Sequence, residues 1–162
     1  MRKKLTLAVL GLIVSSAVPA LAAGPFQYHS LTPCRLIDTR NGTGASTSDN
    51  GPVNGGVGAR TNPGPYDIEV KGFCNVPETA TAVTLNITVV GPTRQGDLRI
   101  ANLDASPFPE VSTLNYLAGE PALANGAIVP LKAGAGNDLR MVFGMVAAGT
   151  LQVLVDVTGY FE

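Results

Sequence analysis

The stretch AVTLNITVV, residues Ala82–Val90, decides the fold. Val83, Leu85, Ile87 and Val89 alternate with Thr84, Asn86 and Thr88. A period of two puts one set of side chains on each face of a pleated strand, and β-branched residues fit that surface well. Wound as a helix, the same apolar residues would scatter around the circumference. The segment therefore reads as a half-buried strand, with an apolar face toward a core and a neutral, hydrogen-bonding face outward.

Working outward, Tyr66, Ile68 and Val70 alternate with Asp67, Glu69 and Lys71 just before Phe73 and Cys74. Further runs follow, each bounded by Gly, Pro or Asn: GDLRIANL (96–103), EVSTLNYL (110–117), ANGAIVPL (124–131), DLRMVFGMV (138–146) and TLQVLVDVTGYF (150–161). With RLIDTR (35–40) at the front, the pattern predicts about eight strands. After the first 22 residues no segment carries a helical period. The 19 Gly and 12 Pro, and the lack of crossover helices, predict an all-β fold: an antiparallel two-sheet β-sandwich, jelly-roll-like in order, rather than a closed barrel. With no Trp, its core is built from Val, Leu, Ile and Ala.

The chain opens with three cations (Arg2, Lys3, Lys4), an apolar run and small residues ending Ala20-Leu21-Ala22. That is the anatomy of a cleaved secretory signal peptide over residues 1–22, with 23–162 as a single β-sandwich domain. The run falls short of the roughly 20 apolar residues that a spanning helix needs, so no membrane span is expected in the mature chain. Removing the leader takes three of the 11 basic residues and none of the 12 acidic ones, a net charge of −4. A nucleic-acid partner needs clustered Lys and Arg instead.

Cys34 and Cys74 are the only cysteines, and export puts them in an oxidising compartment, so a disulfide is expected. Two cysteines and one distant His are too few for a closed zinc site. Closing a loop of that length should constrain the unfolded chain by roughly 4 kcal/mol. Between the cysteines lies RNGTGASTSDNGPVNGGVGARTNPG (40–64), where nothing larger than Val53 and Val57 could help to fill a core. It reads as an insertion held at its ends, and Asn41, Asp49, Asn50 and Arg60 are its candidate binding residues. Asp38, Asn41, Asp49 and Asn50 offer side-chain oxygens of the kind calcium takes. Without an EF-hand spacing they assign no metal, and no cofactor is expected.

RLIDTR sets Arg35, Asp38 and Arg40 in a strand-like segment. By parity Leu36 and Asp38 share one face, with Arg35 and Ile37 on the other. A charged group turned inward needs a partner, and Asp156, set among Val153, Val155 and Val157, is the expected mate. Arg35, Asp38, Arg40 and Asp156 are thus the expected structural ion pair. For catalysis, the single histidine, His29, lies in a tail expected to be loosely held, and no Gly-x-Ser-x-Gly elbow is present. The carboxylates Asp38, Asp97, Asp104, Glu110 and Asp156 carry no sign of converging. No catalytic residue and no enzyme activity are expected.

Taken together, RLIDTR, FCNVP (73–77), AVTLNITVVGPTRQGDLRI (82–100), STLNY (112–116), ANGAIVPL and VDVTGYF (155–161) resemble an uncharacterised exported bacterial all-β module. Such modules occur alone or appended to cell-wall hydrolases and other surface proteins. The resemblance spans nearly all of residues 23–162. It implies export, an all-β fold and an accessory role, and brings no catalytic residue or ligand with it. The expectation is a non-catalytic, secreted or cell-surface module with a structural or protein-interaction role in the extracellular matrix. Its partners would be other copies of itself or surface proteins. The alternative is a carbohydrate- or cell-wall-binding module with cell-wall glycan as partner. The N-terminal tail AGPFQYHSLTP (23–33) could add to a neighbour's sheet edge, or cap its own.

Overall fold

A computed structural model describes residues 26–42, 44, 60–61 and 65–162, with only the backbone at 60–61. The expected signal peptide, Asp49, Asn50 and most of the Gly-rich segment lie outside the described residues.

Nine strands follow in chain order: β1 (Tyr28–Asp38), β2 (Arg60–Thr61), β3 (Pro65–Ile68), β4 (Ala82–Val90), β5 (Gly96–Asn102), β6 (Leu114–Tyr116), β7 (Ala122–Pro130), β8 (Leu139–Met145) and β9 (Thr150–Phe161). One sheet runs β1-β9-β4-β7, with β2 also paired to β9, and the other runs β3-β8-β5-β6. All pairs are antiparallel. The pairs nest: β5 bonds β6, β4 bonds β7, β3 bonds β8, and β1 bonds β9. A long antiparallel ribbon rolled onto itself gives this order, which is the jelly roll.

The core follows from the alternation in β4. Val83, Leu85, Ile87 and Val89 are at most 2% exposed, and they join Leu98, Met141 and Phe143 of the other sheet in one cluster. Each such side chain contributes about 1.5–3 kcal/mol through its burial. Tyr116 joins this cluster too. Burial, with the charge of Asp97 adding to it, pushes its hydroxyl up to about 12.

Several expectations change. β1 begins at Tyr28, well before RLIDTR, because residues 27–30 pair with the end of β9. Gln27 and Glu162 exchange backbone hydrogen bonds at 2.8 and 3.2 Å, so the expected tail caps its own sheet. His29 is accordingly held in a strand, its ring stacked on Tyr160 at 4.8 Å, rather than loose. β6 keeps only Leu114–Tyr116 of the expected 110–117. Pro107 and Pro109 have no N–H to give to a ladder, and Glu110, Val111 and Ser112 are exposed.

Parity also fails inside RLIDTR. Arg35 pairs with Asp156 while Ile37 pairs with Val155, so Leu36 is the extra residue of a β-bulge. The bulge lets Leu36 and Ile37 both be fully buried. Lys71, expected on a polar outer face, is 4% exposed. β3 ends at Ile68, and the chain then turns through residues with positive φ at Gly72, Cys74 and Asn75.

That turn carries Cys74 to Cys34, and the two form a disulfide across a sequence separation of 40. Cys34↔Val157 lies in the β1–β9 ladder, so the bridge ties the first sheet to the turn after β3. Replacing both with alanine should leave the fold but lower unfolding free energy by about 3–4 kcal/mol in urea titrations, following the loop-closure estimate. A loss well under 1 kcal/mol would show that the bridge constrains little.

Candidate functional site: the outer face of the β1-β9-β4-β7 sheet

Register places the outward side chains of this sheet in cross-strand rows. Tyr28, Phe161, Ala82 and Pro130 form the first row; Ser30, Gly159, Thr84 and Ile128 form the second. Arg35, Asp156, Asn86 and Gly126 form the third; Asp38, Leu154, Thr88 and Ala124 the fourth. A β-bulge at Thr158 in β9 separates the second and third rows and turns Phe161 outward. Charge on this face is confined to the β1–β9 half. β4 and β7 contain no ionisable residue at all.

In the charged half the structure brings Arg35, Asp38, Arg40 and Asp156 together. Asp38 accepts from Arg35 Nη1 at 2.7 Å, Arg40 Nη2 at 2.8 Å, Arg40 Nε at 3.0 Å and the Arg40 backbone N–H at 3.1 Å. Arg35 also donates to both oxygens of Asp156, through Nε and, at 3.3 Å, through Nη2. Side-chain exposure is 3% for Asp38, 21% for Asp156, and 37% and 48% for Arg35 and Arg40. The Arg40 guanidinium, helped by its backbone N–H and by the charge of Arg35, holds Asp38 below the usual carboxylate range against the opposing effect of burial. Hydrogen bonding to Asp156 raises Arg35 further.

Two cations and two anions with every hydrogen bond directed at one another make a neutral knot. It pins the bulge of β1 onto β9 where the Gly-rich segment departs. Asp38 gives its oxygens to guanidiniums, and among the described residues no group of three or more His, Cys, Asp or Glu is placed to hold a metal ion. Asn41 is exposed at the start of the segment, and the backbone of Arg60 pairs with Leu151 of β9. Asp97, Asp104 and Glu110 lie away from this knot; Asp97 and Glu110 flank Arg99 on the other sheet, at 3.1 and 3.2 Å.

The uncharged half ends in an apolar hollow of about 390 Å³ lined by Phe26, Thr81, Ala82, Ile128, Pro130 and Phe161. Around the edge of β7 a second groove, of about 330 Å³, reaches Ile100, Pro109 and Thr113 and shares Ile128 and Pro130. Ile128 is 66% exposed. Sequence reading passed over this surface because Phe26, Tyr28 and Phe161 lie at opposite ends of the chain. Only the β1–β9 pairing makes them neighbours, with Tyr28 and Phe161 rings 5.2 Å apart.

A second buried charge pair was not legible either. Lys71 Nζ lies 3.0 Å from Asp138 Oδ1 and donates to the carbonyls of Lys132, at 2.9 Å, and Gly134. Asp138 Oδ2 accepts the N–H groups of Val70 at 2.8 Å and Lys71 at 2.9 Å. The pair fastens the turn after β3 to the β7–β8 connection. Both groups are almost fully buried, and Asp138 Oδ1, which has no hydrogen-bond partner, is met only by the ammonium charge, so the carboxylate depends on its cation.

Two substitutions test these readings. Asp38→Asn should cost about 1–3 kcal/mol at pH 7, the usual loss when a buried charged acceptor is removed from its hydrogen bonds. The folded pKa of Asp38 is depressed, so its contribution is complete above the unfolded value of about 3.9 and disappears as pH falls through the folded value. Wild-type stability should therefore drop more between pH 7 and pH 3 than that of Asp38→Asn; equal drops would remove Asp38 from the account. Lys71→Met should cost about 3–5 kcal/mol by leaving a buried carboxylate without its cation, and adding Asp138→Asn should restore part of it. A surface-like loss below 0.5 kcal/mol, read by the same urea titration, would contradict the clamp.

Compared with known proteins, the chain matches no family model, no curated protein and no solved structure.

Proposed function

We propose that residues 23–162 form a non-catalytic module, exported to the cell surface or extracellular matrix, that works by associating with protein surfaces, copies of itself foremost. One observation carries the reading. The β4–β7 half of the outer face is uncharged, half-buried along β4 and exposed along β7, and bordered by two apolar hollows that meet at Ile128 and Pro130. The outer face of the β3-β8-β5-β6 sheet is different in kind. It carries Asp67 paired to Arg140 at 2.7 Å and the Asp97–Arg99–Glu110 group, a surface suited to water. An uncharged sheet face bordered by apolar hollows favours association. Export rests on the leader-like residues 1–22 and on the resemblance to exported bacterial modules.

A glycan-binding reading is favoured by one observation, the exposed Tyr28 ring beside Phe161, against which a sugar face could stack. Light scattering on residues 23–162 with the disulfide intact, from low micromolar to near-millimolar concentration, separates the two when combined with a cosedimentation assay on purified peptidoglycan and polysaccharides. Concentration-dependent oligomers without cosedimentation support association. A persistent monomer that sediments with a glycan, and loses this on Tyr28→Ala, would overturn it in favour of the second reading.

A further inference from the structure

We propose that two copies of this chain pair through β7, edge to edge and antiparallel about a two-fold axis at Gly126, so that their β1-β9-β4-β7 sheets become one continuous sheet. The inference rests on the protein-association reading and names its partner and surface.

Among the described residues four strands edge the two sheets, β1 and β7 in one and β3 and β6 in the other, and the two-residue β2 beside β9 is a further short one. Exposed edges invite strand addition, and natural sheets blunt them with charge, Pro, bulges or shortness. Three of the four are blunted here. β1 carries Pro33, Arg35 and register breaks at two places. β3 has four residues, beginning with Pro65, and β6 has three. β7 has nine residues, no charge, an unbroken register with β4, and Pro only at its last position.

The backbone of β7 is also oriented for pairing. Leu131 N–H donates to Thr81 O at 2.9 Å, and the register Ala82↔Pro130 through Val90↔Ala122 carries that parity along the strand. Antiparallel alternation then directs the N–H and C=O groups of Ala122, Ala124, Gly126 and Ile128 away from β4. Among the described residues none of these groups has a hydrogen-bond partner. The same residues are exposed, and Asn125 steadies the strand from the other face by donating to Thr113 O at 2.6 Å.

The sequence of β7 points to a second copy as occupant. About an axis at Gly126, Ala124 opposes Ile128 and Ala122 opposes Pro130, so each large outward side chain meets a small one. On the other face Leu123 opposes Val129 and Asn125 opposes Ala127. No charge faces a like charge, and Gly126, which has no side chain, occupies the self-opposed position. The hollows at Ile128 and Pro130 receive the small Ala122 and Ala124 of the other copy. An isologous contact of this kind closes on itself as a dimer.

Sedimentation velocity on residues 23–162, as a function of concentration, tests the proposal with three variants whose folding is checked by thermal melts. Ala124→Pro removes only an edge-facing N–H and leaves the β4 ladder whole, so it should weaken the dimer by about tenfold or more. Ala124→Glu with Ile128→Glu sets like charges opposite each other twice, whereas Ala124→Glu with Ile128→Lys sets opposite charges there. The first pair should dimerise about tenfold more weakly than the second. A wild-type chain that stays monomeric throughout overturns the pairing. So does a dimer that Ala124→Pro leaves intact, in which case association uses another surface and the association reading itself survives. Equal weakening by both charge pairs overturns the register.

Discussion

Strand β9 is hydrogen-bonded along both edges, to β1 and β4, and everything else is arranged around that pairing. It supplies Leu151, Val153, Val155 and Val157 to the core and Asp156 to the ion-pair knot. Its ladder with β1 joins segments more than a hundred residues apart, so the loop-closure entropy between them must be offset by native contacts. Folds dominated by such distant pairings are slow to form and depend strongly on every device that holds the ends together.

Three devices do so here, and each acts on β1 or on the turn after β3. The disulfide fixes Cys34 to Cys74; the knot of Arg35, Asp38, Arg40 and Asp156 fixes the β1 bulge to β9; Lys71 and Asp138 fix the turn after β3 to the connection before β8. The first limits the unfolded ensemble, whereas the other two reward one register. A bulge needs such specification, because slipping the register by one residue would turn Leu36 or Ile37 outward.

Ion pairs and the disulfide crowd the β1 side and the turn after β3, while β4 and β7 carry no charged residue. The consequence is a molecule whose two faces differ chemically. One outer sheet face is laced with paired charges and the other runs from a neutral knot to an uncharged edge. A charge-free edge in an otherwise well-blunted sandwich is the property on which the proposed association rests.

The sequence by itself determined the class of fold. Alternation in β4 and β9, turn residues between short runs, and two cysteines suffice for a disulfide-stapled all-β sandwich, because side-chain periodicity is a local consequence of the pleat. It also indicated Asp156 as a member of the ion-pair group with Arg35, Asp38 and Arg40, since an aspartate amid valines needs a cation; the structure assigns it to Arg35. Tertiary structure alone decided which face each residue near a bulge takes, that Lys71 turns inward to Asp138, that residues 28–30 are strand, and that Phe26 and Phe161 adjoin Ile128. These depend on how segments distant in the chain come together, and in the β1–β9 ladder a single extra residue reverses every side chain beyond it; no local pattern encodes that.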